Sequence, residues 1–535
     1  MASDSKAVFK NTQSLSVDAL LSADGVPLRQ YWRVLTTAGR AGEGLRAAWR
    51  EQVKLLQDRI GFSYIRFHGI FHDEMMVYAP DTQAPARDRS NRPDSDNNTA
   101  YYNWTYIDDL FDFILLVGLR PFVELGFTPE AMASGPETVF AWRANITPPR
   151  DYDEWARLVE AFVRHCVERY GLEEVRRWYF EVWNEPNLGG IFWTGSQEEY
   201  FDLYRVTAAA VKGVDAGLRV GGPATSNFTT DGEAPWFSEF KQYCEAKAVP
   251  VDFYSCHPYP NTWAFDADGN QTTGYRERTA LRDDLLWLRN FVARSKTRDA
   301  EIHLTEWNSS PSPRDLVHDT AFMGPFLLES ILSASGLVDS LGYWVLTDLF
   351  EENGLGRGPF HGGFGLMSVH GIPKPSFHAY ALLSRLGEFE LGRGEGWIVT
   401  RSAGALQMLF WNYAHYTPEF ASGDRSSLSN TDRYGAFEAG VALEITVDLG
   451  SARPERSHRR SVRREPLTLI EVNRDRGSAF DAWVRMGAPE HPSCDQIRAL
   501  MGAAEPAVRS LDPRNGSITL TVDPHGLAFL EIPLM

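Results

Sequence analysis

The sequence predicts an α/β protein, a (β/α)8 TIM barrel over residues 25–385 followed by an all-β sandwich accessory domain over 386–535. Residues 1–24 form an N-terminal segment that is able to join the sandwich. Three observations carry this. Up to about residue 385, short apolar runs alternate with longer stretches of helical period, as in βα units closing on a parallel sheet. Beyond that point the helical periods stop, and strand-like runs joined by turns take over. Carboxylates recur directly after the apolar runs of the first part, where such a barrel carries its chemistry.

The first strand candidate is WRVL at 32–35. Leu45, Trp49, Val53, Leu56 and Ile60 then follow at helical spacing, and Gly61 leads into FSYIRF, ending at His68. Ile107, Leu110, Phe111, Ile114 and Leu115 mark the next helical face, punctuated by Gly118 before RPFVEL at 120–125. Helical 152–170 leads to WYFEVW at 178–183, and helical 198–213 leads to LRVGG at 218–222. VDFYSCH (251–257), EIHLTE (301–306) and SLGYWVL (340–346) complete eight candidates. After them, GWIVTRS, LQMLFWNYA, GVALEITVDL, PLTLIEVNR, GSITLTVD and LAFLEIPL read as sandwich strands. The arginine-rich SARPERSHRRSVRREP at 451–466 reads as a solvated loop.

Composition narrows the function classes. A net charge of −18 argues against nucleic acid and anionic membrane surfaces as partners. No run approaches the roughly 20 apolar residues that span a bilayer. The opening MASDSKAVFK lacks an apolar core, so no signal peptide is expected and a cytoplasmic location is. Cys166, Cys244, Cys256 and Cys494 have neither disulfide-framework nor zinc spacing and read as structural thiols. Phosphate-loop, dinucleotide, nucleophile-elbow and HExxH signatures are missing. His68 and His72 stand at a strand exit, where a spacing of four does not put them on one face, so no metal is expected.

The strand exits hold His68, Glu124, Asn184, Glu185, His257, Tyr259, Glu306, Glu351 and Glu352. In WYFEVWNEPNLGG, Pro186 restrains Glu185 toward extended geometry and aims it across the mouth. Glu306 leaves the seventh strand in IHLTEWNSS, so both carboxyls face one opening. Paired carboxylates flanking a cleft are what glycosidic cleavage needs: one protonates the leaving oxygen, the other attacks or activates water. Glu124 reads as a buried structural carboxylate.

These stretches also carry a resemblance. FEVWNEPNL, TEWN, RFHGIFHDEM (66–75), HPYPN (257–261), YWVLTDLFEE and GGFGLMSVHGIPKPSFHAYALL (343–383 together) are similar to glycoside hydrolase family 39, the β-xylosidases and α-L-iduronidases of a retaining (β/α)8 clan. SAFDAWVRMG (478–487) resembles the accessory sandwich of the xylosidase branch. The resemblance implies that Glu185 is the general acid/base, Glu306 the nucleophile, and Asn184 the partner of the sugar 2-hydroxyl. It places His68, His257, Tyr259 and Trp344 in the sugar pocket, with Tyr259 touching the nucleophile and Trp344 as the aromatic floor. Glu351 and Glu352 both match acidic positions that grip sugar hydroxyls, and the motif does not choose between them.

No metal or organic cofactor is implied, and the two carboxyls should lie about 5–5.5 Å apart. Iduronidases of the family place cations just after the strand-six histidine. Here the positions read Pro258, Tyr259 and Pro260, which favours a neutral pentose, with xylobiose and short xylo-oligosaccharides as substrates. The alternatives are another main sugar (an α-L-arabinosidase, a β-glucosidase or an iduronidase-like enzyme), an endo-acting polysaccharide hydrolase, or a carbohydrate-binding protein without the chemistry. A homo-oligomer is compatible with the sequence.

Overall fold

A computed structural model describes residues 11–80, 100–227, 236–265, 271–450, 466–512 and 516–534. The arginine-rich 451–465 lie outside the described residues. Eight parallel strands close into a barrel: β1 (Leu35–Arg40), β2 (Tyr64–His68), β3 (Arg120–Leu125), β4 (Tyr179–Val182), β5 (Arg219–Ser226), β6 (Phe253–His257), β7 (Glu301–Trp307) and β8 (Ser340–Tyr343). A helix follows each strand, beginning with Ala47–Arg59 and ending with Pro375–Leu383. Local chemistry starts these helices where the sequence asks: Ser196 and Glu199 cap Gln197–Val214 reciprocally. Among the described residues no helix is long and apolar enough to cross a membrane.

The first strand differs from its expected place. Tyr31–Arg33 form a 3₁₀ turn instead, and β1 runs through LTTAGR. Trp32 is fully buried in the main core outside the barrel wall, so its apolar character reports packing there. The small residues of β1 answer a different demand: a Cβ on Gly39 would sit 2.5 Å from the Glu43 carboxylate that fills the space beneath it. Strand propensity is weakest where the barrel interior has no room for a side chain.

Three irregularities gather at the mouth. In β5 the extra residue Ala224 interrupts pairing between Pro223 and Thr225, at φ +53°. In β1 the register shifts between Thr37 and Arg40. In β7 it shifts between Leu304 and Trp307, so Thr305 and Glu306 together oppose Gly342. Such bulges break the alternation of a strand and re-aim side chains.

The accessory module is a sandwich of two sheets. A three-stranded sheet orders Asn11–Ser16, Leu443–Asp448 and Ser517–Val522, the first pair parallel. A seven-stranded sheet contains Trp397–Arg401, Ala405–Trp411, Leu467–Val472 and Leu527–Pro533. Alternation along Ala405–Trp411 sends Met408 and Phe410 into the sandwich core and Leu409 and Trp411 into the core shared with the barrel. Two short helices, Ala479–Arg485 and Cys494–Ala503, accompany the strands, the second started by a Ser493–Gln496 capping box. A fully buried charge cluster ties the modules: Lys374 bridges Asp319 and Asp348 at 2.6 Å each, and Arg433 reaches Asp319 at 2.7 Å.

Candidate active site

Arg66 sits in the middle of β2, fully buried, with its guanidinium filling the barrel beneath the mouth. Nε donates to Glu181 (2.6 Å), Nη1 to Glu306 (2.7 Å), and Nη2 to Asn184 Oδ1 (2.9 Å) and Glu124 (2.8 Å). A buried charge is tolerated only when paired and hydrogen-bonded, and here one cation joins acceptors from β3, β4 and β7. Glu124, expected to be a structural carboxylate, serves this cation and also binds His68 Nδ1 at 2.5 Å.

Glu306 faces the mouth from the β7 bulge. One oxygen takes Arg66, and the other accepts from the Tyr259 hydroxyl at 3.1 Å. Burial, and then the Glu306 charge, push the Tyr259 phenol well above its usual range, so it donates. Glu185 follows β4 in a left-handed conformation (φ +44°), pinned by its N–H donating to the Ala224 carbonyl at 2.9 Å. The Pro186 restraint therefore acts on a strained residue, with no extended segment at Glu185. Asn187 fixes the same turn, exchanging two hydrogen bonds with the Ser226 backbone.

His257 Nδ1 lies 2.9 Å from Glu185 Oε1, and Nε2 lies 3.0 Å from Thr305 Oγ1. Burial and the Arg66 charge push the imidazole well below its usual range, so it is neutral. A carboxylate oxygen of Glu185, one of Glu306 and a His257 nitrogen all lie within 4.8 Å of one another. Among the described residues this is also the one His/Cys/Asp/Glu group able to share a cation. The donor set is explained without one, since His257 bonds Glu185 and Glu306 is held by Arg66 and Tyr259.

Burial, then the Glu306 charge, drive the Glu185 carboxyl well above the usual carboxylate range. Burial lifts Glu306 as well, but Arg66 and His68 pull against it, so the proton of the pair resides on Glu185. Of the remaining expected residues, His68 points Nε2 into the mouth, 3.5 Å from Glu352 and 3.7 Å from Glu306, with the Trp344 ring 4.8 Å away. Glu352 is buried, its Oε1 without a hydrogen-bond partner. Glu351 is turned aside, held by Arg40 at 2.7 Å and by Arg46.

Sequence reasoning passed over Arg66, Glu181 and Thr305. The signal for Arg66 was present: a cation inside the apolar run YIRFH demands buried partners. Alternation from His303, whose ring packs on Phe122, Tyr179 and Phe253 inside the barrel, already turns Thr305 inward; the bulge is what brings Glu306 to the same side.

The model of "Glycosyl hydrolases family 39" matches residues 16–519 of the chain. A β-xylosidase of Geobacillus stearothermophilus is 36% identical over 507 residues, covering 92% of this chain and 90% of that protein. One of Caldicellulosiruptor saccharolyticus is 42% identical over 360 residues, 67% of this chain and 69% of its own. The crystal structure of a monomeric β-xylosidase from Caulobacter crescentus CB15 superposes with a TM-score of 0.82 at 32% identity, covering 98% of this chain and 99% of that one.

Holding a proton on buried Glu185 costs folding free energy once the unfolded chain can release its own. Folded and unfolded chains bind the same proton below about pH 4.3. Above that value the unfolded state alone loses it, so stability falls by about 1.4 kcal/mol per pH unit until the raised Glu185 value is reached. Glu185→Gln mimics the protonated acid and escapes this term. The variant should match the wild type in melting temperature near pH 4 and exceed it increasingly toward pH 7; equal pH profiles would mean that Glu185 is ionised in the folded protein.

Proposed function

The chain belongs to family 39 of the glycosyl hydrolases, and we propose that it is a retaining, exo-acting β-xylosidase that releases terminal β-D-xylose from xylo-oligosaccharides. One observation carries the reading. Two buried carboxyls share a mouth, one bonded to a guanidinium and a phenol, the other to a neutral imidazole. One oxygen of each lies within 4.8 Å of one of the other, which supports the close spacing of retaining pairs over the about 6.5–9.5 Å of inverting ones.

In the first step ionised Glu306 attacks the anomeric carbon while Glu185 gives its proton to the departing oxygen. The Glu306 charge disappears into the new ester bond, and with it the cause that, after burial, kept Glu185 protonated. Glu185 is then the base that takes a proton from water. The water oxygen bonds to the anomeric carbon, the ester breaks, and Glu306 regains its charge. Arg66 holds Asn184 through Oδ1, which leaves the amide NH₂ to donate to the sugar 2-hydroxyl. Glu352 is the acidic residue that meets sugar hydroxyls, since Glu351 is committed to Arg40 and Arg46. His68 and Trp344 complete the −1 pocket.

Charge supports a neutral sugar. Glu124, Glu306 and Glu352 crowd the pocket with Glu185, and the one guanidinium among them is saturated by protein oxygens. Among the described residues, a uronate carboxylate entering here would meet carboxyls without a free cation, and Pro258, Tyr259 and Pro260 add none. The names of the Geobacillus and Caldicellulosiruptor relatives support xylose.

An aryl β-D-xyloside should therefore be cleaved at least ~10-fold more efficiently in kcat/KM than an aryl α-L-iduronide, a gap of about 1.4 kcal/mol. Preference for the iduronide would overturn the substrate assignment.

The two roles are separable by azide. Glu185→Ala should still form the glycosyl-enzyme from a dinitrophenyl xyloside, whose leaving group needs no acid, and then stall without its base, a loss of about 10²–10⁴-fold. Azide needs no deprotonation and should restore turnover as β-xylosyl azide. With Glu306→Ala, azide should enter from the opposite face and give the α-azide. Exchanged products would reverse the assignment.

A further inference from the structure

Thr305 stands between one group that the reading above uses, His257, and one that it does not, Glu181. Its hydroxyl donates to Glu181 Oε1 at 2.7 Å, and its oxygen faces His257 Nε2 at 3.0 Å. Thr305, His257 and Glu181 are all fully buried, so no bulk water competes for these bonds. The direction of each bond can be followed outward from Arg66. A guanidinium only donates, so Glu181 accepts from it through Oε2. The single hydroxyl proton of Thr305 goes to the other oxygen of Glu181, Oε1, the direction in which that bond runs.

With that proton spent, the Thr305 oxygen is able only to accept, so the nitrogen facing it carries a hydrogen. The neutral imidazole has one N–H. If Nε2 bears it, Nδ1 bears a lone pair, and that lone pair points at Glu185 Oε1, 2.9 Å away. Two acceptors at that distance repel each other unless one carries a proton.

We propose that Thr305 is a positioning residue of the acid/base: by committing its hydroxyl proton to Glu181 it fixes His257 as the Nε2–H tautomer, whose Nδ1 lone pair holds the proton on Glu185. This rests on the role given to Glu185 above. The relay Arg66–Glu181–Thr305–His257–Glu185 transfers no net proton. Glu185 yields its proton to the leaving oxygen in the first step and recovers one from water in the second, while His257 keeps its single N–H throughout. Between the steps, ionised Glu185 faces a lone pair with no donor on that side, which strengthens it as a base. A histidine free to choose its tautomer would instead turn Nδ1–H toward the carboxylate, stabilise the anion, and weaken Glu185 both as acid and as base.

Other groups also face the pair: Glu306 on β7, Arg66 and His68 on β2, Glu124 on β3, Tyr259 after β6 and Glu352 after β8, with the Ser226 hydroxyl of β5 bonded to Glu185. All of them remain in Thr305 variants, so a change there reports the relay.

The test compares Thr305→Val, which keeps the shape and removes the hydroxyl, with Thr305→Ser, which keeps the hydroxyl. On xylobiose, whose leaving group needs the acid, the alkaline limb of kcat/KM should move down by about one pH unit in Thr305→Val and return in Thr305→Ser. On a dinitrophenyl xyloside, kcat/KM should change less than about threefold in either variant. Nitrogen-15 NMR of the imidazoles should find His257 as Nε2–H in the wild type, a readout that survives even if Thr305→Val fails to fold. An alkaline limb that stays in place in folded Thr305→Val, or a wild-type His257 protonated on Nδ1, would overturn the proposal. Wild-type protein that cleaves no xyloside while showing the Nε2–H tautomer would instead sink the functional reading and leave the wiring intact.

Discussion

The arrangement at the barrel mouth depends on one buried guanidinium. Arg66 is surrounded by Glu124, Glu181 and Glu306, and Glu185 and Glu352 share the interior with those carboxyls. Five carboxyls and one cation in a dry interior cannot all be ionised. Contact with Arg66 pulls against the burial of Glu306, whereas burial and then the Glu306 charge drive Glu185 and Glu352 well above the usual carboxylate range. The proposed nucleophile and the proposed acid are the same residue type, and this contrast makes them chemically different. Removing Arg66 would do more than delete a hydrogen-bond partner, because it would leave a cluster of uncompensated anions.

Backbone irregularity delivers the side chains to that cation. A regular strand would turn Thr305 and Glu306 to opposite faces; the β7 bulge presents both to the interior. The Ala224 bulge in β5 offers its carbonyl to the strained Glu185 N–H, so distortions in neighbouring strands support each other. Behind the mouth, the Lys374–Asp319–Asp348–Arg433 cluster fixes the loops after β7 and β8 to the accessory module, whose seven-stranded sheet shares its outer face with the barrel core.

Much of this is legible in the sequence, for identifiable reasons. Periodicity places seven of the barrel strands because apolar strands packed on helices must be apolar. It misplaces the first, where Thr36, Thr37, Ala38 and Gly39 make no apolar run, Gly39 because the Glu43 carboxylate fills its side-chain space, while Trp32 just before it is large because it is buried in the main core. Glu185 and Glu306 stand out because a carboxylate directly after an apolar strand needs a reason. Thr305 and Glu181 do not stand out, since a threonine and a glutamate in a strand are ordinary until bulge geometry and bond direction are known. The choice between Glu351 and Glu352 likewise waits for structure: adjacent and identical in type, they differ only in that Arg40 and Arg46 occupy one of them.

The central claim is that burial, together with the charge of the Arg66-bonded Glu306, keeps the proton on Glu185. Carbon-13 NMR of the labelled glutamate carboxyls measures it directly, in the free enzyme and after trapping with a 2-fluoro-xylosyl reagent that neutralises Glu306. The account predicts that Glu185 titrates well above the ordinary carboxylate range in the free enzyme and drops by more than about one pH unit in the trapped form. A Glu185 that titrates in the ordinary range in the free enzyme, or that does not move on trapping, would contradict it.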